Sequence, residues 1–247
     1  MNIADEYINR THPYGYWKDN AVRLTGRGAW GLTVMFLSMW DYIRHEEDEP
    51  SRFLPERADL AGIKNDGFVQ PYSDTPTDDE PVGESVYINM LSRAKKYVYI
   101  CTPYLVIDNE LMNALTSAAK CGIDVRMITP GVPDKWYVHA VTRANYEELT
   151  RAGVRIYEYT PGFIHSKVYL ADSVQAVVGT VNLDFRSLYL HFENACWFCG
   201  CRAVAEVRRD FDELFPLCHE VTEEYAARRS VTLRGLDCVL RLFSPLM

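Results

Sequence analysis

From Gly83 onward the apolar positions fall into two alternating periods, one near 3.6 residues and one near 2. "GESVYINMLSRAK" (83–95) has helical spacing and "KYVYICTPY" (96–104) is a β-rich run. "NELMNALTSAAKCG" (109–122) predicts a helix closed by Gly122, and "IDVRMITPG" (123–131) a strand followed by the loop "VPDKWY" (132–137). "VHAVTRANYEELTRAG" (138–153) predicts a helix ending at Gly153, and "VRIYEYT" (154–160) another strand. Strand and helix in alternation imply an α/β layered fold, a mixed β-sheet flanked by helices with ligands where strands run out into loops. After Gly162 the pattern changes to consecutive strands, "FIHSKVYLA", "QAVVGTVN" and "HFENACWFCG", then a helix near 203–215. Upstream, 17–24 reads as a strand and 29–43 as a buried apolar helix. The charge-free run Gly28–Trp40 is too short to span a bilayer, which takes about twenty residues.

Charge adds a boundary. Residues 45–83 hold eleven Asp and Glu against three Lys and Arg, which accounts for the whole net charge of −8, and they carry five of the twelve prolines. The stretch 45–82 therefore reads as an acidic, Pro-rich linker, and the neutral remainder has no basic stripe that would favour nucleic acid. Seven cysteines without a leader pattern favour free thiols over a disulfide framework. "CWFCGC" (Cys196, Cys199, Cys201) lacks a second ligand pair, so buried thiols on a core strand are the better reading than a zinc site. The C-terminal segment places Leu233, Leu236, Leu240 and Phe243 at helical spacing with four Arg against one Asp from Arg228 onward. Such a helix could lie on an anionic bilayer or dock on the domain.

The candidate chemistry sits in "HSKVYLAD" (165–172). Alternation along a strand puts His165, Lys167 and Tyr169 on one face. An imidazole beside an ammonium makes a small cationic surface, costly to bury without an anion and suited to phosphate. Lysine neutralises non-bridging oxygens while histidine attacks phosphorus or protonates a leaving oxygen. Thr180 and Asn182 in "GTVNLDFRS" share a face and can donate to phosphate oxygens. Glu193, a carboxylate beside Phe192, would suit the Nδ1–H of His165 and fix its tautomer.

"HSKVYLAD", "GTVNLDFRS" and "FEN" together resemble the second His-Lys-Asp motif of the phospholipase D superfamily. "NIADEYI", "YWKDNAVRL", "VQPYSDTP", "YICTPYLVID" and "RLFSPLM" narrow the resemblance to the bacterial cardiolipin synthase branch. The resemblance implies a phosphatidyltransferase that converts two phosphatidylglycerols to cardiolipin and glycerol through a phosphohistidine, with no metal or organic cofactor. It implies His165, Lys167 and Asp172 as the catalytic motif, Asp172 organising the following turn. Thr180 stands where the family has Ser or Thr, Asn182 binds phosphate, Glu193 orients the histidine and Tyr104 faces the lipid headgroup.

In that family a first motif precedes the segment beginning at Asn2. The resemblance thus makes 1–44 a remnant of a first lobe and 83–247 the second lobe. The implied partners are a phospholipid, a membrane surface, and either the missing first lobe or a second copy of the chain in a homodimer. The implied location is the cytoplasmic side of the cell membrane, peripherally. None of His12, His45, His139, His191 and His219 has a lysine two residues on, so no substitute motif is present. The first-lobe remnant favours a part of a longer synthase over a minimal single-motif protein. The competing functions are a homodimeric phosphodiesterase or nuclease with one motif per subunit, and an inactive lobe acting as a subunit.

Overall fold

A computed structural model describes residues 4–45, 49–54, 62, 66–78 and 80–227. The amphipathic segment after Arg228 and parts of the acidic stretch lie outside the described residues.

Eight strands form one mixed sheet, in the order β1 (Phe68–Asp74), β9 (Glu193–Cys199), β7 (Gln175–Gly179), β6 (Val168–Ala171), β2 (Tyr97–Cys101), β4 (Asp124–Pro130), β5 (Arg155–Tyr159), β10 (Cys218–Glu220). β2, β4 and β5 are parallel, as the alternation with helices requires, and every other pairing in this sheet is antiparallel. Two-residue strands β3 (Leu105–Val106) and β8 (Leu183–Asp184) pair in parallel beside it.

The strand period divides the core. On β2, Val98 and Ile100 point into a cluster with Tyr87, Met90, Leu115, Tyr146 and Leu149, from helices α2 (Val82–Arg93), α3 (Asn109–Lys120) and α4 (Trp136–Arg151). Tyr99 and Cys101 point the other way, against Val204, Phe211 and Leu214 of α6 (Arg202–Leu214). Both faces are covered, which is why "YVYIC" is apolar or aromatic throughout. The helices stop where the sequence says they should. Asp108 caps α3 by accepting from the Leu111 N–H at 2.9 Å, and Gly122 and Gly153 turn the chain at φ of 89° and 103°.

Five expectations change. Residues 17–24 form no strand, only a single bridge from Lys18 to Ile164. Within the predicted linker, Phe68–Asp74 is strand β1, antiparallel to β9, because the antiparallel side of the sheet offers it an open edge. The apolar helix forms as α1 (Gly28–Arg44), yet Leu37 alone is buried on it, since only one side rests on β1. The strand carrying the motif is shorter than its alternation suggests. β6 begins at Val168, so His165–Lys167 lie in an extended entry to it. Trp136 and Tyr137, read as loop, open α4. Short helices α5 (Phe185–Tyr189) and α7 (Thr222–Ala226) complete the described chain. Among the described residues no helix is long and apolar enough to cross a membrane.

Candidate active site

The site is assembled by a close crossing of two segments that are far apart in sequence. The Tyr16 N–H donates to the Pro161 carbonyl at 3.0 Å, the Lys18 N–H to Phe163 at 3.0 Å, and the His165 N–H to the Lys18 carbonyl at 2.7 Å. Glycines permit the approach. A Cβ at Gly15 would lie 2.5 Å from the Pro161 oxygen, and one at Gly162 would lie 2.3 Å from the Tyr16 nitrogen. Asn9 clasps the Trp17 backbone with both ends of its amide, at 2.7 and 2.9 Å. Asp210 of α6 accepts from Lys18 Nζ at 2.6 Å and from Asn20 Nδ2 at 2.9 Å, fixing the other end of the segment.

This crossing delivers Asp19 to His165. Its Oδ2 lies 3.0 Å from Nδ1, a contact between residues 146 apart in sequence. Tyr7, Trp17 and Phe163 surround the imidazole, with ring centroids 5.2, 5.6 and 6.1 Å away. Lys167, only 5% exposed, places Nζ 2.5 Å from the His165 carbonyl oxygen. Nζ is also 2.8 and 2.7 Å from the two ring nitrogens. Nearly equal distances to both put the ammonium over the ring face, not along either lone pair. With Nδ1–H held by Asp19, the Nε2 lone pair stays free for chemistry.

The electrostatics follow from burial among unlike charges. Burial lowers the His165 pKa, Asp19 partly restores it, and the Lys167 charge lowers it again; the net shift is downward. The imidazole is therefore neutral near pH 7. Burial brings Lys167 down to about 8, against the pull of Asp19 and Glu193. Burial pushes the Asp19 carboxyl up, but the His165 hydrogen bond and the charges of His165 and Lys167 outweigh it, leaving it below the ordinary carboxylate value.

Glu193 does not orient the histidine. At the start of β9 it accepts from the Thr180 hydroxyl and, through its other oxygen, from the Ser187 hydroxyl. Ser187 also accepts from the Asn182 N–H at 2.9 Å. Thr180 spends its single proton on Glu193, so it is not a phosphate donor in this arrangement. It shapes the wall of the cleft and accepts from the Asn194 N–H at 3.0 Å. His165, Lys167, Thr180, Asn182, Glu193, Asp19 and Asn20 all line a cleft of about 410 Å³, with Val22 and Leu32 on its apolar side. That volume suits a phosphodiester with part of its headgroup.

Two sequence-predicted residues fall outside it. Asp172 is just past the far end of β6, on the order of 20 Å from His165 at about 3.3 Å per strand residue. With Ser173 it makes the tight β6–β7 turn, both at positive φ. Its carboxylate accepts from the Lys95, Lys96 and Tyr97 N–H groups at 2.8, 2.8 and 2.9 Å. A carboxylate so placed cannot touch a group reacting at His165. Tyr104 is also absent from the cleft wall. Its hydroxyl donates to Asp134 at 2.6 Å, and Lys135 Nζ lies 5.5 Å from its ring centroid.

Asp19 and Ser187, which closes "GTVNLDFRS", are site residues to which the sequence reading gave no role. Asp19 stands in "YWKDN", one of the segments that carried the family resemblance, but nothing local in that segment points to a histidine. Among the described residues one carboxylate cluster has metal-like spacing, Glu84, Asp108 and Glu110. The Tyr189 hydroxyl sits between Glu84 and Asp108 at 2.8 and 3.0 Å, and burial raises Glu84 to about 7. That hydroxyl ties α5 to α2 and to the cap of α3.

Comparison with known proteins places this geometry. Residues 87–215 match the family model described as "Cardiolipin synthase, PLD-like domain". The whole chain is 44% identical to 53% of an uncharacterized protein of Streptococcus mutans. It is 34% identical, again along its whole length, to 49% of a cardiolipin synthase of Halalkalibacterium halodurans. The chain thus spans about half the length of these relatives. Among solved structures, the phospholipase D family member Nuc of Salmonella typhimurium superposes with a TM-score of 0.52 at 17% identity. The match covers 62% of this chain and 97% of Nuc.

Proposed function

The chain belongs to the cardiolipin synthase, PLD-like domain family, and on that premise we propose that it carries half of a phosphatidyltransferase site, transferring a phosphatidyl group between phosphatidylglycerol molecules through His165. The observation that supports this reading is the half-buried imidazole itself, kept neutral beside the buried Lys167 ammonium and tied at Nδ1 to Asp19.

In the proposed reaction Nε2 attacks the phosphorus of one phosphatidylglycerol. The P–N bond forms as the P–O bond to glycerol breaks, and the departing oxygen takes a proton. The hydroxyl of a second phosphatidylglycerol then attacks the phosphohistidine and gives up its proton, releasing cardiolipin and restoring the imidazole. Lys167 neutralises the non-bridging oxygens, Asn182 contributes from the β7–β8 connection, and Asp19 holds the tautomer and the imidazolium-like charge of the transition state. The proton donor and acceptor is a second imidazole, from a second copy of the chain or from the part of the polypeptide that the longer relatives possess. The proposed place of action is the membrane surface on its cytoplasmic side.

The test is incubation with phosphatidylglycerol labelled at phosphorus, followed by lipid separation and an acid and base quench of the protein. Cardiolipin, with label held on the protein in an acid-labile, base-stable bond and lost in His165→Ala, is the expected result. DNA cleavage without lipid product would replace this reading with a nuclease. Silence of the chain toward both substrates, with no change in the rate of a full-length synthase to which it is added, would make the chain an inactive lobe.

A further inference from the structure

The carboxylate that meets His165 is held through its two chain neighbours, and those neighbours are held by α6. Lys18 and Asn20 flank Asp19, and both reach Asp210, Lys18 Nζ at 2.6 Å from Oδ1 and Asn20 Nδ2 at 2.9 Å from Oδ2. Each oxygen of Asp210 thus takes one neighbour, and an acceptor-only carboxylate fixes which end of the Asn20 amide faces it. The Asn20 N–H in turn donates to Asp19 Oδ1 at 2.8 Å, while Oδ2 of the same carboxylate meets His165 Nδ1 at 3.0 Å. The backbone rungs of the crossing stop at Lys18. Among the described residues no backbone-to-backbone hydrogen bond ties residues 19–25. Ala21, Val22 and Arg23 are exposed, and Leu24 is the next side chain packed on the core. The helix, for its part, docks without Asp210. Val204, Phe211 and Leu214 carry its packing, while the Asp210 side chain stays 27% exposed.

We propose that Asp210 is a positioning residue of the site: by gripping Lys18 and Asn20 it holds Asp19 on Nδ1 of His165, so that α6 sets the alignment of the nucleophile. The inference rests on the phosphatidyl-transfer reading above and deepens it. Asp210 is absent from the cleft wall, so it acts through Asp19 and not on the substrate. Without it the Asp19 segment loses its anchor beyond Lys18. A displacement of about 1 Å at a catalytic group costs about 10²-fold in rate.

Asp210→Asn in the full chain tests this, since it keeps the shape of the side chain but leaves one oxygen for two donors. It is expected to lower kcat for phosphatidyl transfer about 10²-fold with KM little changed. In Asp19→Asn, where no carboxylate remains to be held, the same substitution should cost less than about threefold. The His165 titration, followed by NMR on the imidazole C–H, gives the same comparison without turnover. Burial lowers the His165 pKa and Lys167 adds to it, whereas Asp19, with Asp134, raises it. Asp210→Asn should therefore move the titration down with Asp19 present and no further in Asp19→Asn. Loss of a distant charge alone would act equally in both backgrounds. Asp212→Asn, on the same helix but paired with Arg208 at the surface, is the control and should change neither measurement. The proposal is overturned if Asp210→Asn leaves kcat and titration at wild-type values, or if its effects are as large in the Asp19→Asn background. Collapse of the fold in Asp210→Asn would make the residue structural and overturn it equally. A wild-type chain that transfers no phosphatidyl group sinks the reaction instead, and the paired titrations then decide the proposal alone.

Discussion

The two ends of β6 carry carboxylates with opposite duties. At the entry, Asp19 reaches in from a distant segment to a single imidazole, and a buried lysine lies over the ring. At the exit, Asp172 gathers three backbone N–H groups from the start of β2 and has no reacting partner. In sequence His165, Lys167 and Asp172 look like one unit. In space a four-residue strand stands between them, so the first two act on a ligand and the third locks the sheet that presents them. Adjacency in a motif is therefore no guide to shared chemistry once a strand intervenes.

The sharpest way to break this comparison is to remove the nucleophile. His165→Ala should abolish labelled-protein formation and lipid product, a loss of about 10⁶-fold, with the thermal midpoint little changed. Asp19→Asn should keep the fold and lower the transfer rate by about 10³–10⁴-fold, because the amide favours the wrong tautomer. An equal loss in Asp172→Asn would mean that the two ends are not separate.

The pH profile of the transfer rate sharpens the contrast further. His165 must be neutral, so the rate rises with pH through its depressed pKa, on a limb below 6.5. Lys167 must be charged, so the rate falls as pH passes about 8. Removing the Asp19 charge takes away the influence that raises the His165 pKa, so Asp19→Asn should move the acid limb lower still. An acid limb displaced upward in that variant would contradict the pairing.

The exit end should answer in stability alone. Asp172→Ala loses three acceptor contacts and strains a residue at positive φ, costing about 2–4 kcal/mol in urea unfolding with the rate constant unchanged. Asp172→Asn keeps the turn and should cost about 1 kcal/mol. Since folding lowers the Asp172 pKa, its charge stabilises the protein above the unfolded carboxylate value, near 3.9. That contribution is lost as pH falls through the folded value, so wild type and Asp172→Asn should converge there.

Much of this was legible without coordinates. Helices α2, α3, α4 and α6 and strands β2, β4, β5, β7 and β9 follow the apolar periods, because each buries one stripe or two faces against the same core. His165 and Lys167 were legible as a phosphate-seeking pair, since neither is easily buried without an anion. Glu193 was assigned to the histidine because a carboxylate beside Phe192 needs a partner and the Nδ1–H of His165 would suit it. Its real partners, Thr180 and Ser187, belong to the loop and helix that follow β7. The apolar run of α1 looked like a buried helix, for periodicity reports what a helix could bury and says nothing of what lies opposite it.

The sequence by itself determined the alternation of elements, the helix ends at Gly122 and Gly153, and the chemical class of the site. Tertiary structure alone decided which carboxylate serves His165, where Asp172 points, and that Asp210 of α6 grips both neighbours of Asp19. The physical reason is range. Propensity, capping and side-chain period act over a few residues, whereas the bond from His165 to Asp19 depends on a glycine crossing and a salt bridge to α6 that no local pattern encodes.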